Sequence, residues 1–353
     1  MRILVAPNPF KESLSAKDFI KIFKEEIKKH EVIGIPLSDG GDGFLDALPG
    51  ELLFLATTGP LDEEIEVPVK KDGQTYYIES ARILGLNLVP QDRRDPGSTT
   101  SKGLGRLIKE IMKEEPGEIV VGFGGSATVD FGIGALSALG IRFLDGGKDV
   151  EPTAIGVRGI KRVVKEIVDE VRIICACDVE NLPPDVLIYA PQKGADEDMM
   201  KTIQDGIENI EKIFGAESMQ IKYGGASGGI PLLFHLLLGA KLTSGAEYVL
   251  NKVGFQDRAK NTDLIITGEG KLDRQTRFGK VPYLVAKIGS ELGIKVVAIV
   301  GGVEDLDPDT EKIFSGIFPI APGPIGLKDL MAEAESYLRF TARQVVKILT
   351  KEE

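Results

Sequence analysis

The sequence predicts an α/β protein: a parallel, Rossmann-like sheet domain built from both chain ends, with a second, mixed α/β domain inserted between them. Three observations predict it. Short apolar runs alternate with helical patterns over residues 2–37 and again beyond Asn261, the rhythm of a parallel sheet. From Leu52 to Ile78 the pattern changes to extended runs separated by turn signals, which is antiparallel in character. At 353 residues the chain is longer than one core usually grows, which favours two domains. The expected limits are 1–62 with 255–353 for the sheet domain, and 63–254 for the insertion.

RILVAP (2–7) reads as a short buried strand. SLSAKDFIKIFKEEIKKH follows, with Phe19, Ile22, Phe23 and Ile27 at three- and four-residue spacing, so an amphipathic helix is expected with Ser13 or Ser15 as N-cap. VIGIPL (32–37) closes the first β-α-β unit. LLFLATTG, EIEVPVK and TYYIES are extended runs, and the DG pair in KDGQ predicts a hairpin. A helix is expected over 99–113, then a strand in EIVVGFGG, a second hairpin in GIRFLDGGKDV, and short strands at 173–179 and 185–191. The βα rhythm returns in DLIITGEG, a helix from Gly279 to Leu292, KVVAIVGG and GIFPIAPG, and a final helix runs from Lys328 to Leu349.

Composition excludes several functions. A net charge of −11 disfavours nucleic acid and anionic membrane, which need a basic face. MRILVAPNPF lacks the pattern of a signal peptide and no run of 18 uncharged apolar residues occurs, so a cytoplasmic protein is expected. His30 and His235 are the only histidines, which leaves a zinc site almost without ligands. Cys175 and Cys177 lie in an apolar run and read as buried thiols rather than a redox pair.

Doubly wound sheets bind ligands outside the carboxyl ends of their strands. Five loops placed there share one chemistry: PNPFKES, SDGGDG, GFGGSATVD, CDVEN and TGEGKLD. Glycine admits an anion to the backbone amides, and carboxylates beside a phosphate need a cation. A magnesium nucleotide meets both demands. Lys11, Lys102, Lys193, Lys271 and Lys280 each stand in glycine-bearing stretches. No segment fits the P-loop pattern, and GFGGSA only echoes a dinucleotide fingerprint. Asp39 and Asp42 are candidates for metal ligand or base, or caps of the helix that follows, Asp130 a metal ligand or cap, and GGASGG (224–229) either a phosphate cradle or a close packing contact. Asp178 ends an apolar strand, where a carboxylate gains nothing from burial unless paired.

In order and at similar spacing, VAPNPFKESLSA, PLSDGGDG, GFGGSATVDFGIG, ACDVEN, APQKGA, GGASGG, TGEGKLDRQTRFGKVP and PGPIGLKDLM resemble the class I bacterial glycerate kinases. The resemblance implies two α/β domains with the active site in the cleft between them, and transfer of the ATP γ-phosphate to D-glycerate, at the 2-position, in a magnesium-dependent reaction. The expected partners are D-glycerate and ATP, and a homodimer is allowed. Asp178 or Asp39 is expected as base, and Lys11 as a catalytic cation meeting phosphate or the glycerate carboxylate. Ser126, Thr128, Lys193, Lys271, Lys280, Gly124, Gly125, Gly268 and Gly270 are expected to bind substrate or phosphate, and Glu269 and Asp273 the metal. The family usually has Asp-Ser-Phe-Lys-Gly-Ser where this chain has Asn8, Pro9 and Glu12, Asp-Gly-Gly-Glu-Gly-Thr where it has Asp42 and Phe44, and Asn-Asp-Gly-Gly where Val129 and Phe131 flank Asp130. These departures leave open a kinase of another small hydroxy acid, or a sugar-acid sensor without transfer. A kinase of the galactokinase and homoserine kinase group is a third reading, echoed by GFGGSA alone.

Overall fold

The computed structural model describes residues 1–165 and 171–350. They form two compact units, Met1–Leu48 with Ala246–Glu353, and Pro49–Gly245. The breaks near 62 and 254 expected from pattern alone differ from these because Glu51–Thr58 pairs antiparallel along its whole length with Glu64–Asp72. A boundary at 62 would split the strands of one hairpin.

The first unit holds a five-stranded, all-parallel sheet in the order Gly316–Pro319, Lys295–Val303, Leu264–Leu272, Arg2–Val5, Glu31–Gly34. Numbered along the unit, this is the 2-1-3-4-5 doubly wound order, whose ligand crevice opens where the order reverses. Here that point lies between Arg2–Val5 and Leu264–Leu272. Helix Ala16–Glu26 follows the first of these strands. Ser15 caps it, accepting from the Asp18 N–H at 3.1 Å while the Ser15 hydroxyl donates to the Asp18 carboxylate; the Ser13 hydroxyl instead donates to the Met331 carbonyl.

Phe19 and Phe23 stack at 5.1 Å. They join Ile3, Val5, Leu264 and Ile266 of the sheet, and Leu338 of helix Ala334–Thr350, in one core. On the opposite face, helix Val281–Glu291 packs through Gly289 against Val296 and Ile265. The chain therefore leaves the two central strands toward opposite faces, the arrangement that marks the ligand-binding switch point of doubly wound sheets.

The second unit holds a six-stranded mixed sheet in the order Lys241–Ser244, Arg172–Cys177, Glu118–Phe123, Thr75–Glu79, Glu64–Asp72, Glu51–Thr58. The first four strands are parallel, and the last two join by antiparallel pairing. The DG hairpin turns at Gly73, whose φ is +61°, with Asp72 facing Thr75. A separate three-stranded antiparallel sheet, Lys148–Asp149, Ile141–Asp145, Arg162–Lys165, contains the second hairpin. Helices Lys102–Met112 and Ile133–Ala138 supply Leu104, Leu107, Ile108, Ile133 and Leu136 to the core that also holds Val121, Phe123 and Cys175.

Several elements differ from the sequence reading. Residues 185–191 are not a strand: Val186–Tyr189 is a helical turn between two 3₁₀ turns, with Val186 buried and Ile188 exposed. The last helix is two, Leu327–Ala332 and Ala334–Thr350, broken at Glu333. Asp42 does not cap Phe44–Ala47, because Gly43 takes the N-cap position and no side chain bonds there. TGEGKL is not a loop: the strand runs on through Leu272, paired with Lys295–Val303. Cys175 and Cys177 are buried free thiols, and burial pushes the Cys177 thiol well up. Among the described residues no helix is long and apolar enough to cross a membrane.

Candidate active site

In the first unit the strand order brings together residues as far as 261 apart in sequence. The Asn8 N–H donates to the Gly268 carbonyl at 2.8 Å, and the Thr267 hydroxyl to the Ala6 carbonyl at 2.9 Å. Asn8, just past the end of Arg2–Val5, thus stands beside Glu269 within the neighbouring strand Leu264–Leu272, and both are buried. The Asn8 amide donates to Asp39 Oδ2 at 3.4 Å, and Asp39 Oδ1 accepts from the Gly41 N–H at 3.1 Å. Burial raises the Asp39 carboxyl above its usual range, against the pull of the Gly41 amide, Asn8 and Lys280. Burial likewise raises Glu269 to about 8; the Lys280 ammonium opposes this, and Asp39 and Asp273 add to it. Asn8 Oδ1 and Glu269 Oε1 are buried oxygens without a hydrogen-bond partner, a costly state unless a ligand meets them.

The remaining candidates of this unit are placed differently. Asp273 shapes its own turn, accepting from the Gln275 N–H at 2.9 Å, and meets Lys280 at 3.4 Å. Lys271 is exposed and pairs with Glu304, just past the end of the neighbouring strand Lys295–Val303, which accounts for it structurally. The Lys11 side chain is exposed, while its backbone passes Gly270. Gly268 is a packing position, because a side chain there would strike the Ile299 carbonyl and the Phe19 ring.

In the second unit the ends of three adjacent parallel strands carry Ser80, Gly124 and Asp178. The Asp178 N–H donates to the Phe123 carbonyl at 3.0 Å and the Ser80 N–H to the Gly122 carbonyl at 2.9 Å. After Gly124 the chain turns through Gly125, exposed with φ +63° and nothing near its open side, so the loop can present its amides outward. Lys193 is 5% exposed and donates to Ser126 Oγ at 3.2 Å and to the Thr128 carbonyl at 2.9 Å. Burial pushes its ammonium down to about 8, with Asp178 and Asp130 pulling the other way. Thr128 is buried, its hydroxyl 3.5 Å from the Thr99 carbonyl.

Asp130 is an anchor. It accepts from the Ser101 N–H at 2.8 Å, the Ser101 hydroxyl at 2.7 Å, the Gly132 N–H at 3.0 Å and the Gly134 N–H at 3.3 Å, and so ties two helix starts together. GGASGG serves close packing: Gly228 has φ +71° and lies so near the Thr128 carbonyl that a Cβ would overlap it. Lys102 pairs with Asp62 at 3.0 Å and is accounted for there. Sequence reasoning missed Asn8 as a member of the first cluster, since only the sheet order sets it beside Glu269.

Residues 3–350 match the model of the glycerate kinase family. The glycerate kinase of Bacillus cereus is 34% identical over 99% of this chain and 98% of that one. The chain belongs to the glycerate kinase family. The glycerate 2-kinase of Escherichia coli K12 is 35% identical over 86% of each chain. A crystal structure from Salmonella typhimurium LT2, described as a candidate glycerate kinase 2, matches with a TM-score of 0.81 at 31% identity, covering 99% of this chain and 98% of that one.

Within the glycerate kinase pattern that the sequence resembles, the departures change side chains at two left-handed positions and in the core. Glu12 and Phe131 stand where glycine is usual, and both hold left-handed conformations, φ +59° and +52°. Phe131 and Val129 are each 1% exposed and belong to the core, with Phe131 against Gly229. Phe44 is also buried, tilted against Tyr248 at 6.4 Å. Val129, Phe131 and Phe44 therefore fill core rather than add polar groups to the loops.

Proposed function

We propose that this chain transfers the γ-phosphoryl group of ATP to the 2-hydroxyl of D-glycerate. Supporting this most strongly is the likeness, over nearly its whole length, to enzymes named for phosphorylating glycerate, in a chain whose buried Lys193 and Ser126 lie with Asp178 around adjacent strand ends. The departures at Val129, Phe131 and Phe44 are absorbed by the core, so nothing in them favours a sensor over an enzyme.

Phosphoryl transfer asks the protein for positioned phosphates, neutralised charge and an oriented hydroxyl, with little covalent chemistry. Asp178 is the proposed base, accepting the proton of the acceptor hydroxyl, with Asp39 the second carboxylate available for that role. Lys193 already commits two N–H groups to Ser126 and Thr128; its third, with the Ser126 hydroxyl and the Gly124–Gly125 backbone, receives anionic oxygens. Lys280 and Lys11 serve phosphate oxygens. An ammonium buried in this way destabilises the free protein, and an anionic ligand offsets that cost.

Magnesium ordinarily takes one or two carboxylates, with waters and substrate phosphates completing its shell. Among the described residues no three histidines, cysteines or acids are grouped to hold a metal. Glu269 Oε1 and the Asn8 carboxamide oxygen, both lacking donors, fit the smaller demand of a cation carried in on its nucleotide. Asp273 is less suited, being held by its own turn and by Lys280. The cation would supply charge neutralisation to the polyphosphate. Incubation of the purified protein with ATP, magnesium and D-glycerate is expected to release ADP in step with loss of glycerate. No release above that of ATP alone would reject the reading.

A further inference from the structure

The segment 84–94 runs beside the loop that carries Ser126. The Leu86 N–H donates to the Gly125 carbonyl at 2.9 Å, the Ala127 N–H to the Leu84 carbonyl at 2.7 Å, and Gly85 bridges Ser126. Arg94 closes this segment on itself. Its Nη2 lies 3.4 Å from the Leu86 carbonyl and its Nε 3.4 Å from the Val89 carbonyl, both at the long limit of a hydrogen bond. Its Nη1 engages nothing, and among the described residues Arg94 has no carboxylate partner although it is half-buried. The backbone of Arg94 also supports Lys193, since its carbonyl presses on Gly194 so closely that a Cβ there would overlap it. One loop, 124–128, thus has Lys193 bonded to it and residues 84–86 of the Arg94 segment paired along it.

A half-buried guanidinium held by two weak carbonyl contacts, with no counter-charge, is short of an anion. Its planar fork matches a carboxylate in two parallel hydrogen bonds, which an ammonium cannot do. We propose that Arg94 binds the carboxylate of the acceptor acid, and so selects a hydroxy acid over the corresponding neutral alcohol. This rests on the glycerate kinase reading. The alternative source of the same chemistry is a phosphate oxygen of ATP.

The test compares the full-length protein with Arg94→Gln and Arg94→Lys, measuring KM and kcat for D-glycerate, KM for ATP, and turnover or competitive inhibition with glyceramide, which lacks the carboxylate charge. Arg94→Gln is expected to lose roughly 10- to 100-fold in kcat/KM for D-glycerate, with KM for ATP and the constants for glyceramide unchanged. Arg94→Lys is expected to fall between, and keeps the question answerable should Arg94→Gln not fold. Equal losses on both acceptors would make Arg94 a structural brace, and a raised KM for ATP would make it a phosphate ligand; either overturns the proposal, as does an unchanged D-glycerate constant. If the unaltered protein does not turn D-glycerate over, the family reading fails separately, and calorimetry decides: weaker D-glycerate binding by Arg94→Gln upholds the proposal, while equal or no binding rejects it.

Discussion

Replacing Lys193 by Met should stabilise the protein while removing its activity. The lysine is 5% exposed, and burial lowers its ammonium from 10.5 to about 8. At roughly 1.4 kcal/mol per unit, keeping that charge in the folded state costs about 3 kcal/mol at neutral pH. Met fills similar space without charge, but it forfeits the hydrogen bonds to Ser126 and Thr128, at about 1 kcal/mol each. The net gain is about 1–2 kcal/mol at pH 7. The sign follows from linkage: a group whose folded value is depressed contributes stability above its unfolded value and loses it as pH falls through the folded value. The unaltered protein should therefore recover stability between about pH 8 and 10.5, and the advantage of Lys193→Met should vanish by about pH 10. Urea unfolding of both proteins at about pH 7 and pH 10 measures this. A variant less stable at neutral pH, or a difference that does not narrow with pH, would refute the view that Lys193 is a strained, ligand-seeking cation.

Asp178→Asn should reduce turnover by roughly 10²- to 10⁴-fold, the usual effect of a general base, with unchanged circular dichroism and melting temperature; near-normal turnover would remove Asp178 from the chemistry. Glu269 is held up at about 8, so its contribution to stability is present below the ordinary carboxylate value and is lost as pH rises through about 8. Glu269→Gln should then exceed the unaltered protein in metal-free stability above about pH 8, and match it near about pH 4, as thermal unfolding across that range can check. Phe131→Gly relieves a left-handed backbone at about 1 kcal/mol but empties a core site worth about 3–5 kcal/mol, so a net loss of about 2–4 kcal/mol in denaturant unfolding is expected.

Much of the fold was legible because local signals and the fold agree. The Ser15 cap, the DG hairpin and the apolar runs of both chain ends are local features, and they lie where the sequence reading put them. The exceptions are places where pairing decides. VLIY, short and apolar, suits strand or helix equally, and only packing against its neighbours makes it helical. Lys271 looks like a site cation until register sets Glu304 beside it. Asn8 joins Glu269 solely because Arg2–Val5 lies next to Leu264–Leu272. Arg94 gave no signal, since an arginine between Pro90 and Pro96 reads as ordinary loop.

The proposed chemistry has one product, a phosphate ester at the middle carbon of D-glycerate. Two-dimensional ¹H–³¹P NMR of the product formed from ATP, magnesium and D-glycerate tests it most directly. The expected spectrum shows a single ester phosphorus resonance coupled to the proton on carbon 2. Coupling to the carbon 3 protons would contradict the position of transfer, and an absent ester resonance with intact ATP would contradict the transfer itself.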